Sequence, residues 1–164
     1  MLLNKERIIE MVKVLFVCHG NICRSTMAEF LFKDYVSKIG MSDLFYIESA
    51  GTSNEEEGNP VYPGTREILN RLNIDCSKKR ARKIKPSDYD NFDFIIGMDR
   101  HNRINLLRFF DYDPKHKVSL ILDYTSSPRD VIDPWYYDNF EDTYKDIMEG
   151  INCFYSYLLE NELI

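Results

Sequence analysis

An apolar run that ends at a cysteine constrains the fold of this chain more than any other feature. Residues 13–17 read Lys-Val-Leu-Phe-Val, and Cys18 follows directly. Five residues separate Cys18 from Arg24, Ser25 comes next, and a helical pattern of apolar residues begins there. A short, continuous apolar run is typical of a strand that is covered on both faces. The sequence therefore predicts a buried strand, a tight loop and a helix, with a thiol where the strand ends.

Strand-like and helix-like segments alternate through the rest of the chain. Strands are predicted at residues 13–17, 45–49, 92–98 and 118–122, and helices at residues 25–39, 65–72, 99–110 and 140–158. This alternation predicts an α/β fold with a four-stranded parallel sheet, right-handed crossovers and helices on both faces. Because we find no repeat or linker, we expect a single domain at residues 12–164. We expect residues 1–11 to be a leader of unknown role. It reflects either a translation start upstream of Met11 or a short additional helix.

Charge and cysteine content limit the possible classes of protein. The chain has 164 residues and a formal net charge of −6, which argues against nucleic acid or an anionic membrane as the main partner. No apolar run approaches the roughly 20 residues that a membrane span needs. The cysteines match no small disulfide scaffold and follow no secretory signal, so we expect reduced thiols and a cytoplasmic location. They are Cys18, Cys23, Cys76 and Cys153.

Two further patterns have plain explanations. Residues 78–85 are rich in Lys and Arg but lack interleaved aromatic residues, so we expect a solvated connector rather than a nucleic-acid patch. His19, His101 and His116 are too scattered to form a metal site with the cysteines. We therefore expect no bound metal.

Four connections of the predicted fold leave from the same edge of the sheet. They begin after Cys18, after Ser49, at Asp99 and after Leu122. In open parallel sheets, ligands bind beyond the carboxyl ends of the strands. We therefore expect these four segments to meet at one site around Cys18.

The loop after Cys18 has the residue types that bind a phosphate-like oxyanion. Backbone N–H groups at a helix N-terminus hold a phosphate dianion, and the helix dipole adds to the attraction. Gly20 permits a positive φ and Asn21 tolerates one, while Arg24 offers a planar fork for two phosphate oxygens. The predicted phosphate-binding residues are His19, Gly20, Asn21, Ile22, Cys23 and Arg24.

Cys18 is the predicted nucleophile of this loop. The N–H groups and Arg24 would favour its thiolate form, which could attack phosphorus and form a cysteinyl-phosphate. Ser25 could donate a hydrogen bond to the sulfur when it leaves. Taken singly, a cysteine after a strand is usually a small buried residue and an arginine at a helix start is usually solvated. Their order and spacing on a strand, loop and helix favour the functional interpretation.

The sequence Val-Cys-His-Gly-Asn-Ile-Cys-Arg-Ser at residues 17–25 resembles the signature of the low-molecular-weight protein tyrosine phosphatases. The similarity continues at residues 48–52, 58–60, 81–82, 92–93, 98–102 and 133–134 and covers most of residues 12–160. The resemblance implies the Rossmann-like phosphotyrosine protein phosphatase I fold. It also implies hydrolysis of phosphotyrosine in proteins without metal or cofactor, with inorganic phosphate or other oxyanions bound as product or inhibitor.

The resemblance assigns roles to residues outside the loop. Asp133, followed by Pro134, matches the general acid that protonates the leaving oxygen and later activates water. Asn21 and Ser49 match a pair whose hydrogen bonding holds the phosphate loop in shape. Asp99 matches a carboxylate that helps to fix the site through the loop arginine, and it also suits a helix N-cap.

The rim of the predicted pocket departs from the family in two places. Trp135 stands where the family usually has the first of two tyrosines, and Tyr136 matches the second, which can itself be phosphorylated in the family. Both side chains either wall a cleft for a phenyl ring or anchor their loop. Where many relatives carry an aromatic residue, this chain has Glu55 within the acidic residues 55–57. That run is either solvated or a rim that repels substrates with acidic flanks.

Cys23 matches a recurrent second cysteine of the loop. It either traps oxidised Cys18 as a reversible disulfide or is simply a small buried residue. The sequence leaves both interpretations open.

Three other functions share part of this pattern. Thioredoxin-coupled arsenate reductases use a relay of further cysteines, whereas only Cys76 and Cys153 lie downstream here, far apart. Protein-arginine phosphatases carry a small polar residue where Ile22 stands, and an apolar residue suits a phenyl ring better. A phosphopeptide-binding module without catalysis would need neither Cys18 nor Asp133. We therefore expect proteins that carry phosphotyrosine to be the substrates.

Overall fold

A four-stranded parallel sheet organises residues 10–164, the part of the chain that the computed structural model describes. Its strands are β1 (Val12–Cys18), β2 (Phe45–Gly51), β3 (Phe94–Gly97) and β4 (Val118–Leu120). Their spatial order is β2-β1-β3-β4, and all neighbours are parallel. The predicted α/β class and parallel sheet are confirmed. Most of the predicted leader, residues 1–9, lies outside the described residues.

Helices cover both faces of this sheet, as the sequence predicted. They are α1 (Arg24–Lys38), α2 (Pro63–Arg71), α3 (Asp88–Asn91), α4 (Arg100–Phe109), α5 (Pro134–Tyr137) and α6 (Phe140–Glu160), with 3-10 turns at Ser42–Leu44 and Ile121–Tyr124. Helices α1, α2 and α6 pack together on one face, and α4 packs on the other. No helix within residues 10–164 combines the length and the apolar character that crossing a membrane requires.

The central strand β1 is buried on both sides. Val14 and Phe16 belong to the larger core, which α1 and α6 cover, while Leu15 and Val17 belong to a smaller core that includes Leu106 of α4. All four strand residues have no exposed surface. Because successive side chains of a strand point to opposite faces, burial of both faces requires an unbroken apolar run. This is the run that precedes Cys18.

The strand predicted at residues 118–122 ends at Leu120 instead. The Asp123 carboxylate accepts a hydrogen bond from the N–H of Leu120 at 2.9 Å, and the chain turns there into a 3-10 helix. Ile121 is nevertheless fully buried and lies against Gly150 of α6, where a Cβ atom would come within 2.5 Å of its side chain. The apolar residues after Leu120 therefore indicate that this segment is buried, but they do not show that it is a strand.

Three other boundaries differ from the prediction. The strand predicted at residues 92–98 spans Phe94–Gly97, because the preceding residues form the unpredicted helix α3, which ends before Phe92. Helix α2 begins at Pro63, a residue suited to the first turn of a helix. No helix was predicted between residues 122 and 140, but α5 lies there, and its first turn is capped by the carboxylate of Asp133.

The basic segment at residues 78–85 is not a wholly solvated connector. The Lys79 side chain is only 13% exposed and pairs with Glu29 at 2.9 Å. Arg82 pairs with the buried carboxylate of Asp88 at 2.9 Å. The predicted solvated connector is therefore wrong for these two cations, which bind carboxylates of other elements.

Candidate active site

The loop between β1 and α1 uses its carbonyl groups and leaves its N–H groups unpaired. The carbonyl oxygens of Cys18 and His19 accept hydrogen bonds from the N–H groups of Thr52 and Ser53 at 2.9 and 3.0 Å. Among residues 10–164, no hydrogen bond has a backbone N–H group of residues 19–23 as its donor. The loop thus presents a set of N–H groups at the N-terminus of α1, an arrangement that binds oxyanions.

The positive φ in this loop lies at Asn21, with a value of 60°, and not at Gly20. The side chain of Asn21 holds the strained residue in place, because its Oδ1 accepts a hydrogen bond from the N–H of Arg82 at 3.0 Å. The neighbouring strand also approaches closely. At Gly51 of β2, a Cβ atom would lie 2.7 Å from the carbonyl oxygen of His19, so a larger residue would displace the loop.

A chain of hydrogen bonds connects the buried carboxylate of Glu29 to the thiol of Cys18. Ser49 Oγ donates to Glu29 Oε1 at 2.6 Å. Asn21 Nδ2 lies 2.9 Å from both Ser49 Oγ and Ser25 Oγ and donates to each. Ser25 Oγ in turn lies 3.0 Å from Cys18 Sγ.

The carboxylate fixes the direction of every bond in this chain. An ionised carboxylate only accepts, so Ser49 donates its hydrogen to Glu29 and must accept from Asn21. The Asn21 amide donates one of its two N–H hydrogens to each serine. Ser25 therefore accepts from Asn21 and keeps its own hydrogen for Cys18 Sγ. The result is a hydroxyl donor directed at the sulfur, where it stabilises negative charge.

Glu29 is a site residue that the sequence reasoning missed. Burial alone raises the pKa of this carboxyl, but the charges of Lys79 and Lys33, with hydrogen bonds from Lys33 and Ser49, outweigh burial and hold the pKa below its ordinary value of 4.5. The signal was present in the sequence. Glu29 follows Ser25 by four residues, so it shares the buried face of α1, where a carboxylate requires a partner.

Arg24 lies between two carboxylates beneath the cleft. Its Nη1 donates to Asp99 Oδ2 at 2.7 Å and to the Val131 carbonyl at 2.9 Å, and its Nη2 donates to Asp133 Oδ2 at 3.3 Å. Burial alone lowers the pKa of Arg24, but the negative charges of Cys18, Asp99 and Asp133 outweigh it and raise the pKa above its usual value. The guanidinium is thus a fixed cation with a fixed orientation.

Asp99 makes both contacts that its position in the sequence suggested. Its Oδ1 accepts a hydrogen bond from the N–H of Asn102 at 2.8 Å as the N-cap of α4, while its other oxygen accepts from Arg24. Asn102 Oδ1 accepts from the N–H of Asp99 at 3.2 Å and completes a capping box. The start of α4 therefore positions the arginine of the loop.

One cleft joins the loop, Asp133 and the aromatic residues. It is lined by Cys18, His19, Gly20, Ile22, Cys23, Arg24, Glu55, Glu56, Asp133, Trp135 and Tyr136. Trp135 and Tyr136 are 53% and 77% exposed, so they are walls of the cleft rather than buried anchors of the loop. The Trp135 ring rests on Tyr62, with 5.0 Å between the ring centroids. Four other residues that the sequence predicted for the site support the cleft but do not line it. They are Asn21, Ser25, Ser49 and Asp99.

The carboxylates on the acidic side of the cleft have hydrogen-bond partners. Glu55 Oε2 lies 3.1 Å from His19 Nε2, and both side chains are more than half exposed. Glu56 Oε2 accepts a hydrogen bond from Asn59 at 2.7 Å, and the Glu56 stem lies beside Gly20. The predicted acidic rim thus has two members at the cleft, and Glu57 does not line it.

Cys23 shares the cleft with Cys18, and both are free thiols. Burial, followed by the negative charges of Cys18 and Asp133, raises the pKa of Cys23 well above its ordinary value. At neutral pH Cys23 is therefore a protonated thiol. Within residues 10–164, no three His, Cys, Asp or Glu side chains are grouped to hold a metal ion.

The family model that matches this chain and two proteins of similar sequence belong to one family. Residues 13–163 match the family model described as low molecular weight phosphotyrosine protein phosphatase. The chain is 41% identical over 142 residues to the low molecular weight protein-tyrosine-phosphatase YfkJ of Bacillus subtilis, with 85% of this chain and 91% of YfkJ covered. It is also 41% identical over 143 residues to the low molecular weight phosphotyrosine protein phosphatase of Schizosaccharomyces pombe, with 84% and 91% covered.

Solved structures agree with the sequence comparison. The crystal structure of Bacillus subtilis YfkJ has a TM-score of 0.89 at 37% identity and covers 93% of this chain and 97% of its own. The crystal structure of the drosophila arginine phosphatase DARP has a TM-score of 0.81 at 28% identity, with 89% and 97% covered. The match to the family model over nearly the whole chain, together with these relatives, places the chain in the low molecular weight phosphotyrosine protein phosphatase family.

Proposed function

We propose that this chain hydrolyses phosphotyrosine in proteins through a cysteinyl-phosphate on Cys18. Arg24 and the N–H groups of residues 19–24 bind the phosphate, and Asp133 is the general acid and base. The observation that carries this proposal is the meeting of a thiol, a buried guanidinium and a carboxylate in one cleft at the N-terminus of α1.

Binding of the phosphate dianion uses groups that are already in place. Arg24 is held by Asp99 and the Val131 carbonyl, so little side-chain entropy is lost when it grips the phosphate. The dianion also brings negative charge close to Asp133, which contacts Arg24 in the structure.

The first chemical step transfers the phosphoryl group to sulfur. The Cys18 thiolate attacks phosphorus as the bond to the phenolic oxygen breaks, and Asp133 gives its proton to that oxygen. In the second step Asp133 removes a proton from water, the water oxygen attacks phosphorus, and the sulfur–phosphorus bond breaks. Ser25 donates its hydrogen bond to the departing sulfur. The products are tyrosine and inorganic phosphate.

The walls of the cleft favour an aromatic leaving group. Ile22 and Trp135 both line the cleft and offer apolar surface to a phenyl ring. An arginine phosphatase is among the structural relatives, and phosphoarginine is therefore the alternative substrate. The apolar Ile22 supports phosphotyrosine over phosphoarginine.

The proposed location is the cytoplasm, and the proposed partners are proteins that carry phosphotyrosine. Cys18, Cys23, Cys76 and Cys153 are all free thiols, which is consistent with a reducing compartment.

Hydrolysis assays test the proposal. Parent enzyme, Cys18→Ser and Asp133→Ala are compared on an aryl phosphate and on phosphotyrosine, phosphoserine and phosphoarginine peptides, with no metal added. The parent should prefer phosphotyrosine, and Cys18→Ser should lose several orders of magnitude in kcat. Substantial activity in Cys18→Ser would contradict the mechanism, and a preference for phosphoarginine would contradict the proposed substrate.

A further inference from the structure

His19 connects the catalytic cleft to a second groove, called the Phe109 groove here. The groove is lined by His19, Thr52, Ser53, Ile84, Asn105, Arg108 and Phe109. His19 follows Cys18 directly and lines the catalytic cleft as well. Because His19 belongs to both linings, a peptide with its phosphotyrosine over Cys18 can continue past His19 into the Phe109 groove.

The Phe109 groove has an apolar surface and one cation, Arg108, in its lining, and a second cation, Lys83, lies over the Phe109 ring. Ile84 is buried, and the Phe109 ring is 37% exposed. Lys83 Nζ lies 5.8 Å from the centroid of that ring, and the exposed Arg108 lines the groove. Within residues 10–164, neither Lys83 nor Arg108 forms an ion pair with a carboxylate.

Among residues 10–164, no acidic residue lines the Phe109 groove, in contrast to the catalytic cleft on the other side of His19. There Glu55 and Glu56 line the wall, and Glu55 pairs with His19 at 3.1 Å. Charges of opposite sign thus lie on the two sides of His19. Such an arrangement selects the charge pattern of a bound peptide, because opposite charges attract and like charges repel at each side.

We propose that the Phe109 groove binds an acidic residue of the substrate, one to three positions away from the phosphotyrosine. The acidic side chain lies between Lys83 and Arg108, with its methylene groups on the Phe109 ring. On the other flank of the phosphotyrosine, Glu55 and Glu56 disfavour acidic residues. This inference rests on the proposed function, since the phosphotyrosine over Cys18 sets the position of the peptide.

Kinetics on a peptide series test the proposed groove. The series has an all-alanine reference around one phosphotyrosine and six peptides with a single Asp at each of the three positions on either side. On one flank, Asp should lower KM about three- to fivefold, as one or two exposed charge pairs allow. On the opposite flank, Asp should raise KM. Equal effects on both flanks, or no effect at any position, would overturn the inference.

A charge swap ties the preference to the groove. In Arg108→Glu the favourable Asp should lose its benefit, and a Lys at the same peptide position should become favourable, which loss of folding cannot produce. Lys115→Glu is the control, because it makes the same charge change at an exposed residue of the connector before β4, which does not line the Phe109 groove. If Arg108→Glu behaves like Lys115→Glu, the groove does not bind the acidic residue.

An aryl phosphate without flanking residues separates this inference from the proposed function. Its hydrolysis should be the same in the parent, Arg108→Glu and Lys115→Glu. If the parent hydrolyses the aryl phosphate but shows no preference for acidic residues on either flank, only the proposed binding role of the Phe109 groove is overturned. A parent that hydrolyses neither the aryl phosphate nor the peptides overturns the proposed function.

Discussion

Ser49 donates a 2.6 Å hydrogen bond to the buried carboxylate of Glu29, and this contact, together with the bond from the Arg82 N–H to Asn21 Oδ1, orients the hydrogen bonds that end at Cys18. Because Ser49 donates to Glu29, it accepts from Asn21, and Ser25 is left to donate to the sulfur. The phosphate loop is therefore aligned by a carboxylate that does not line the cleft. Electrostatic preorganisation of this kind requires no rearrangement during the reaction.

Replacing Glu29 with glutamine should weaken both folding and catalysis. The change leaves the buried cation of Lys79 without its carboxylate, which should cost about 3 kcal/mol of unfolding free energy. The neutral amide of a glutamine also binds the Ser49 hydroxyl less strongly than a carboxylate does, which should loosen the hydrogen bonds from Asn21 to the two serines, so kcat on an aryl phosphate should fall. Urea unfolding and initial rates measure the two effects. Glu67→Gln, on the exposed side of α2, is the control and should change neither.

Acid should destabilise the protein partly through Glu29. The pKa of this carboxyl is lower in the folded chain than its ordinary value of 4.5. Its contribution to stability is therefore complete above pH 4.5 and is lost as the pH falls through the folded-state pKa. The unfolding free energy of the parent should decline more steeply below pH 4.5 than that of Glu29→Gln. Parallel curves from urea unfolding at several pH values would rule out this linkage.

Asp133→Asn should slow the reaction according to the leaving group. General acid catalysis contributes roughly 10²–10⁴-fold, so kcat/KM for phenyl phosphate, which reports the transfer of the phosphoryl group to Cys18, should fall by about that factor. For 4-nitrophenyl phosphate the loss should be much smaller, because its phenolate leaves without a proton. Asp138→Asn is the control, since Asp138 is exposed at the end of the same short helix. An equal loss for both substrates would show that Asp133 is not the acid.

Oxidation tests the role of Cys23. If Cys23 traps oxidised Cys18 as a disulfide, peroxide should inactivate Cys23→Ala in a form that thiols restore less fully than the parent. The high pKa of the Cys23 thiol should make this trapping slow at neutral pH, because the thiolate is the attacking form. Activity before peroxide, after peroxide and after dithiothreitol gives the measurement. Equal recovery in both proteins would leave Cys23 as a small buried residue.

The fold was predictable from the sequence because strand burial leaves a strong pattern. Residues 13–17 lie at the centre of the sheet and are apolar, apart from the exposed Lys13. Boundaries set by single side-chain hydrogen bonds were less predictable. The fourth strand ends at Leu120 through a bond from its N–H to Asp123, a contact that apolar periodicity does not report.

The residues around the candidate site were predictable where they lie in the loop itself. The contacts of Asn21 with Ser49 and of Arg24 with Asp99 were expected from the family resemblance alone, and other contacts between distant segments were not predicted. Lys79 reads as one member of a basic run, yet it binds Glu29 on another element. The contact between Arg24 and Asp133 joins residues 109 positions apart. Such pairs depend on how the loops meet at the sheet edge, which residue types and spacing alone do not determine.

Trapping of the phosphoenzyme tests the central claim most directly. The parent is mixed with an aryl phosphate, quenched in acid within the first turnovers, and analysed by mass spectrometry after proteolysis. A phosphate group should be found on Cys18 in the parent, and Asp133→Asn should accumulate it when the leaving group needs no proton, because water activation is then slow. Cys18→Ser should show no phosphocysteine and no turnover. Phosphate on another residue during turnover, or turnover in Cys18→Ser, would contradict Cys18 as the nucleophile.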